Sequence, residues 1–535
     1  MTFNLADLFE SVVDAVPARE AIVVGERRLS YAALDARANR LASYLREQGV
    51  GPGSAVGLQL SNGSEYIEGM LAAFKLRAVP INVNYRYVEG ELAHLFDDAD
   101  LEALILHRRF APRVAAIAAS LPKLQQFLVV EDGSDAPVLL PGCEEYERAL
   151  AYGVSERDFG QRSSDDHYVV YTGGTTGLPK GVVWRHEDIF FGAMGGGDPL
   201  QGGNVIQSPE ELVTRIAERG VVALPTPPFM HAAAHWLAFH VLFGGGTLVL
   251  APGGGFDPAE IWALVGEERV NLMVIVGDAM ATPLLDAFER EPGKVNAATL
   301  AAIASGGALF SPATKERLAR LLPGKIVIDG LGSSETGTVG NEVGQAGGSG
   351  RARFRVNAQT AVLDDALQPV VPGSDVVGRL ARRGRVPLRY HKDPEKSATT
   401  FVEIAGERWA LPGDLASVAE DGSVVLLGRA STSINSGGEK IFPEEVEAAL
   451  KAHPDVMDAV VVGLPDPRWG QRVVAVLEPR PGATPSLDAL QDFCRTRIAP
   501  YKLPRSLVLV PKLERSPAGK ADYRWARERA EQEAS

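Results

Sequence analysis

The chain has 535 residues, of which 45% are hydrophobic and 23% charged, with a formal net charge of −14. That length exceeds what one hydrophobic core organises, so two or more domains are expected. The acidic balance argues against binding nucleic acid through bulk electrostatics, which works by neutralising phosphates with Lys and Arg. The local cluster Arg351, Arg353 and Arg355 reads as a solvated loop or the rim of a nucleotide site. Cys143 and Cys494, the only cysteines, lie far apart, which suggests neither a disulfide framework nor a zinc site and fits a reducing compartment. The first ten residues carry Asp7 and Glu10 and no basic n-region, so no signal peptide is expected and the protein is placed in the cytoplasm.

In chain order, Leu5, Leu8, Phe9, Val12 and Val16 repeat with helical period, a hairpin-like piece follows at 23–29, and Leu34, Leu41 and Leu45 mark another helix. From Ala55 strands and helices alternate: strands at 56–60, 79–83 and 103–106, helices at 66–76 and 91–98. This alternation predicts βαβ units and a largely parallel sheet. A second round has strands at 221–224, 247–250, 272–276, 301–303 and 326–328. The glycine-rich stretch 192–204 reads as a mobile insertion, and Ser208-Pro209-Glu210-Glu211 as a capping box restarting a helix. The most apolar segment, 229–252, holds His231, His235 and His240 and is interrupted by Gly244, Gly245 and Gly246. It predicts a buried helix, a turn and a strand rather than a membrane span.

Beyond about residue 356 short strands dominate, including 375–380 and 423–427, which predicts a small β-rich subdomain. After Gly428 the pattern changes to a helix at 443–452, strands at 457–462 and 473–477, a helix at 487–498 and a strand at 506–510. The expected fold is therefore α/β: a large N-terminal domain, 1–428, of mostly parallel sheets with flanking helices and the β-rich subdomain. A small α+β C-terminal domain, 429–535, is joined to it by a hinge.

The most informative stretch is Tyr171-Thr-Gly-Gly-Thr-Thr-Gly-Leu-Pro-Lys180-Gly181, preceded by a strand-like run from 168. Gly173, Gly174 and Gly177 let backbone N–H groups turn inward on an anion, Thr172, Thr175 and Thr176 add hydroxyls, and Lys180 adds a charge. It is not a P-loop, because Pro179 precedes Lys180 and Gly181 follows it, so no helix starts there. A flexible surface loop is the plain alternative. Further along come Asp329-Gly-Leu331-Gly-Ser-Ser-Glu335-Thr-Gly337, Gly413-Asp414, Gly428-Arg429, Ser436-Gly-Gly-Glu-Lys-Ile-Phe-Pro443 and Ser516-Pro-Ala-Gly-Lys520. The first of these follows a strand, where ligands bind in open α/β folds. Taken singly, Asp414 reads as a turn residue, Arg429 as a surface arginine and Lys520 as a solvated lysine.

In this order and spacing the stretches resemble the adenylate-forming superfamily: acyl-CoA synthetases, luciferase and the adenylation domains of nonribosomal peptide synthetases. The resemblance covers nearly the whole chain. It implies that Thr172, Gly173, Gly174, Thr175, Thr176 and Lys180 hold the ATP phosphates, and that Ser305, Gly306, Gly307 and Ala308 line the adenine and carboxylate. Leu331, Gly332, Ser333, Ser334 and Lys440 would belong to the same ATP/AMP site, and Asp414 and Arg429 would contact the ribose hydroxyls. By the same resemblance Glu335 and Thr176 would serve Mg²⁺, Glu335 and Lys520 would be catalytic, Gly437 and Gly438 would face coenzyme A, and Ser431 would be the hinge. The acyl pocket would lie near His231 and Trp236, with Gly307, Gly332 and the alanines 232–234 leaving room for a bulky acid.

The implied activity is ATP-dependent activation of a carboxylic acid, a fatty acid or steroid-type side-chain acid, to acyl-AMP and then acyl-CoA. Its partners would be the acid, ATP, Mg²⁺ and coenzyme A, with no nucleic acid and no membrane span; a homodimer is left open. The runs 437–447, 516–524 and 182–185 resemble bacterial, actinobacterial-type acyl-CoA synthetases. Three departures stand out: Gly173 replaces the usual serine, Leu331 the usual aromatic, and Ser431 the usual Asp or Lys of the hinge. Two other readings are an acyl-AMP ligase that loads a carrier protein and a non-catalytic nucleotide sensor. Asp278 keeps open an amine anchor of the kind amino-acid-activating domains use.

Overall fold

The computed structural model describes residues 1–174, 177–198, 203–308, 310–344, 352–429, 432–436, 439–515 and 520–534. One sheet is built around Ala55–Gln59, which pairs in parallel with Val79–Asn82 on one side and Leu101–His107 on the other. All five residues of the central strand are buried, as expected of a strand covered on both faces. Beyond Val79–Asn82 the sheet continues with His167–Gly174 in parallel and then Gly177–Arg185 antiparallel. The glycine stretch is thus the tip of a β-hairpin, in which Thr172 pairs with Lys180 and Gly174 with Gly177. The return strand had no distinct periodicity, because Gly177, Pro179 and Gly181 break its alternation.

A second sheet runs in parallel through Glu20–Val24, Thr247–Leu250, Val222–Pro225, Leu272–Ile275, Ala302–Gly306 and Ile326–Ser333. It then turns antiparallel at Gly337–Gly344 and passes through Arg353–Val356 into the β-rich part, Val424–Arg429, Asp414–Val418 and Gly378–Arg383. A single core cluster draws on both sheets, through Val56, Leu58 and Val170 of one and Ile22, Leu248 and Ala223 of the other. It also takes in Phe9, Tyr31, Phe74 and Phe239 of four helices. Helix Ala232–Phe243 is apolar on nearly every side and accordingly buried.

A further body follows Val424–Arg429. Its antiparallel pair Val456–Asp466 and Gly470–Pro479 is extended in parallel by Ser506–Leu509. Odd-numbered Ala459 and Val461 pack with Val446, Leu450 and Leu490 on one face. Even-numbered Val460 and Val462 pack with Ala526 and Ala530 on the other.

Three expectations change. Pro209–Arg215 is a 3-10 helix whose Ser208 makes no side-chain cap, and Glu211 instead accepts from the Gln207 amide at 3.1 Å. The described part of the 192–204 stretch is packed rather than loose: a Cβ on Gly197 would lie 2.7 Å from Ile206 and one on Gly195 2.0 Å from the His240 ring. Helix Tyr523–Ala534 was not predicted. Its signal was the unbroken apolar run from Ala459 to Val462, which requires cover on both faces of that strand. No helix among the described residues is long and apolar enough to cross a membrane.

Candidate active site

The glycine hairpin is fixed at its base by Asn82, whose Oδ1 accepts from the Tyr171 amide at 2.8 Å. The Asn82 Nδ2 donates to the carbonyls of Tyr171 and Met230, each at 2.8 Å. Lys180 projects from the return strand, 45% exposed, and pairs with Asp393 at 2.5 Å. An exposed pair of this kind is weak, so the ammonium is available to a stronger anion such as a phosphate. Trp184, buried further down the same strand, donates its indole N–H to the Ser334 carbonyl at 3.0 Å. That bond ties the hairpin to the loop that carries Glu335.

The loop itself leaves the carboxyl end of Ile326–Ser333. Ser333 bonds Thr336 through its amide at 3.1 Å and its hydroxyl at 3.0 Å. The buried Arg382 guanidinium donates to the carbonyls of Gly192, Thr336 and Thr338 at 2.8, 2.6 and 3.0 Å. Glu335 Oε1 accepts from the Tyr390 hydroxyl at 2.9 Å, which sets the direction of the carboxylate. Gly332 has a packing reason of its own, since a Cβ there would lie 2.2 Å from the Gly337 carbonyl oxygen. The Leu331 side chain lies in the β-rich core with Val339 and Phe354, so only its backbone faces the site region.

The neighbouring strand Ala302–Gly306 ends in Ser305, buried, whose hydroxyl accepts from the Gly277 amide at 2.9 Å. Gly307 follows in the left-handed region, φ +81°, and Ala308 is half-buried. A methyl placed on Gly307 would sit 4.0 Å from Cε of Lys520. Asp414 and Arg429 are register partners on adjacent strands and pair at 3.2 Å. Burial raises the Asp414 carboxyl above its ordinary range, opposed by Arg429 and reinforced by Glu335. Lys520 is accessible to solvent, yet the protein crowded around it in the cleft, together with Arg429, lowers its ammonium below the ordinary range. Glu335 and Asp414 oppose that shift.

The structure therefore brings Ser305 to Ala308, Glu335, Asp414, Arg429 and Lys520 into one cleft. Thr175, Thr176, Ser431, Gly437 and Gly438 lie outside the described residues; Lys440 is placed by its backbone alone, opposite Asn435. Near the expected acyl pocket, Trp236 is buried and donates to the Tyr168 hydroxyl at 3.1 Å. That hydroxyl lies 2.9 Å from His235 Nδ1, and burial pushes His235 down to about 3, leaving a neutral imidazole. His231 is half-buried and Ala233 exposed. Asp278 accepts from the Ser311 amide at 3.0 Å and pairs with Lys451 at 3.7 Å, so its carboxylate is already committed. Tyr390, Asn82 and Arg382 escaped the sequence reading, because each acts across more than forty residues and leaves no local spacing.

As to donor chemistry, Mg²⁺ with a nucleotide needs one or two carboxylates, the phosphates and water. An oriented Glu335 beside the hairpin fits that set.

Residues 9–389 match the family of AMP-binding enzymes and residues 445–520 the AMP-binding enzyme C-terminal domain. The chain is 49% identical over 535 residues to a 3-oxocholest-4-en-26-oate–CoA ligase of Rhodococcus rhodochrous, covering 99% of this chain and 96% of that protein. It is 49% identical to a medium/long-chain-fatty-acid–CoA/3-oxocholest-4-en-26-oate–CoA ligase of Mycobacterium tuberculosis, covering 99% and 97%. With the medium-chain acyl-CoA ligase Mig of Mycobacterium avium the identity is 43%, covering 99% and 98%. Among solved structures, an anthranilate–CoA ligase in complex with anthranoyl-AMP superposes with a TM-score of 0.84 at 22% identity, covering 99% of this chain and 98% of that one. ATP-bound MatB of Rhodopseudomonas palustris gives 0.81 at 24%, covering 99% of each. These structures speak to the fold alone.

Proposed function

Because the chain belongs to the family of AMP-binding enzymes, we infer that it is an AMP-forming acid–thiol ligase that converts a carboxylic acid to its coenzyme A thioester. In the first step the carboxylate oxygen attacks the α-phosphate of ATP, the bond to the β-phosphate breaks, and acyl-AMP and pyrophosphate result. In the second the thiol of coenzyme A adds to the acyl carbon, loses its proton, and expels AMP. The observation that carries this reading is the placement of Lys520, from the C-terminal body, over Gly307 and beside Glu335, Asp414 and Arg429. A cation there offsets charge developing between carboxylate and phosphate, where a fixed charge in a partly dry cleft acts most strongly.

Around it the residues divide the work. The hairpin backbone, Thr172 and Lys180 take the β- and γ-phosphates, Lys180 exchanging Asp393 for them. Asp414 accepts from the ribose hydroxyls while Arg429 holds its orientation. Glu335, aimed by Tyr390, would hold Mg²⁺, which when bound neutralises phosphate charge. The acid is of the class the relatives' names give, medium- to long-chain fatty acids and cholestenoate-type side chains. The boundary between the two bodies is proposed at 428/429, at the last residue of strand Val424–Arg429. The cysteine content fits a cytoplasmic setting.

The test is a panel of fatty and steroid side-chain acids read by pyrophosphate release and by mass detection of acyl-CoA. Release that needs a carrier protein and ignores coenzyme A would replace this reading with a carrier-loading ligase. No acyl-AMP with any acid would point to a nucleotide sensor.

A further inference from the structure

We propose that the ion pair between Lys451 and Asp278 is the docking contact that positions Lys520 for adenylation, an inference that rests on the function proposed above. Asp278 stands in the first turn of helix Gly277–Arg290. Its Oδ1 accepts from the amide and hydroxyl of Ser311, at 3.0 and 3.1 Å, and the preceding Gly277 amide donates to Ser305. The start of that helix therefore holds Ser305 and Ser311, on either side of Gly307, which faces Lys520.

From the other side comes Lys451, at the end of helix Pro443–Lys451. Its ammonium lies 3.7 Å from Asp278 and 3.3 Å from Asp458, and the Lys451 and Asp278 side chains are only 7% and 12% exposed. Asp458 is also gripped by Arg515, whose guanidinium donates to Oδ1 at 2.6 Å. Arg515 in turn bridges to Ala521, the residue that follows Lys520. A series of contacts thus runs from Ala521, next to Lys520, through Arg515, Asp458 and Lys451, to Asp278 and Ser311.

The charges suit a docking role. The C-terminal body presents Lys451 and Arg515 around Asp458, with the buried Glu447 also acting on both cations, and the large body answers with the carboxylate of Asp278, which acts on Arg515 as well. Rotation of the small body would leave Lys451 with Asp458 and Asp278 with Ser311. Neither charge is then stranded, so the pair can open repeatedly without the large cost of burying an unpaired ion. Small displacements matter here because reacting groups must be held near their productive geometry.

Asp278→Asn keeps an oxygen for Ser311 and removes only the charge, and Lys451→Gln leaves Asp458 to Arg515. Pyrophosphate release without coenzyme A reads adenylation, and conversion of supplied acyl-AMP with coenzyme A reads thiolysis. Each single variant is expected to lower adenylation roughly ten- to a hundredfold, leave thiolysis unchanged, and speed amide exchange in helix Pro443–Lys451. The double variant should be no slower than the worse single. Unchanged adenylation, parallel loss of both half-reactions, additive losses, or unchanged exchange would overturn the proposal. Absence of acyl-AMP from the unaltered enzyme would instead count against the function itself, and the exchange measurement would still report on docking.

Discussion

Glu335 illustrates what a single residue can and cannot do alone. Its carboxylate is aimed by the Tyr390 hydroxyl at 2.9 Å, and the loop below it is held by Arg382 and Trp184. Glu335→Ala is expected to abolish Mg²⁺-dependent adenylation in a folded protein, read by pyrophosphate release. Tyr390→Phe removes only the orienting hydroxyl, so the Mg²⁺ concentration for half-maximal rate should rise about tenfold with kcat at saturation largely kept. An unchanged Mg²⁺ titration in both would remove Glu335 from the metal. Ala233 poses a different question, since it is exposed between buried Ala232 and Ala234. Ala233→Trp should shorten the range of acids accepted and leave the KM for ATP alone; an identical chain-length profile would place the acyl group elsewhere.

Among the elements, helix Pro443–Lys451 carries the most consequence. Its Glu444 abuts the strand Val424–Arg429 so closely that a Cβ on Gly428 would lie 2.4 Å from Glu444 Oε2, a buried oxygen with no hydrogen-bond partner among the described residues. Burial pushes this carboxyl up to about 8, with Glu447 and Asp414 adding to the shift and Arg429 opposing it; Tyr523 faces it as well. Released into water, the group returns to the ordinary range near 4.5. The docked arrangement therefore holds one proton more between those values, so its stability is full at the acid end and is lost as pH rises through 8. The thermal midpoint of the wild-type protein should fall as pH is raised from about 5 to about 9, and Glu444→Gln should flatten that slope by about 2–4 °C. Parallel slopes for the two proteins would exclude Glu444 as the titrating group.

For the whole molecule the question is whether one arrangement serves both half-reactions. Lys520 already lies against the 305–308 loop, which is the geometry adenylation wants. Gly438, in a Gly-Gly pair of the C-terminal body, suits the later approach of a thiol. We expect Lys520→Ala to lower acyl-AMP formation by at least about a hundredfold while still converting supplied acyl-AMP and coenzyme A. Gly438→Leu should do the reverse. Joint loss of both half-reactions in Lys520→Ala would indicate a single fixed arrangement.

The sequence by itself determined the alternating architecture, the separate C-terminal body and the family, because glycines, acids and lysines in fixed order constrain local backbone and local charge. The family resemblance those stretches carry pointed to Glu335, Asp414, Arg429 and Lys520, the last three of which, taken singly, read as turn or surface residues. Tertiary structure decided how those residues are held and aimed. Leu331 turned into the β-rich core, Tyr390 came from 55 residues away to orient Glu335, and Asp278 proved to be bound to Ser311 and Lys451 rather than open to an amine. Helix Tyr523–Ala534 formed because Val460 and Val462 needed cover on a second face. Each of these is a contact between segments distant in sequence, set by burial and by the pairing of buried charge, and neither has a local period to read.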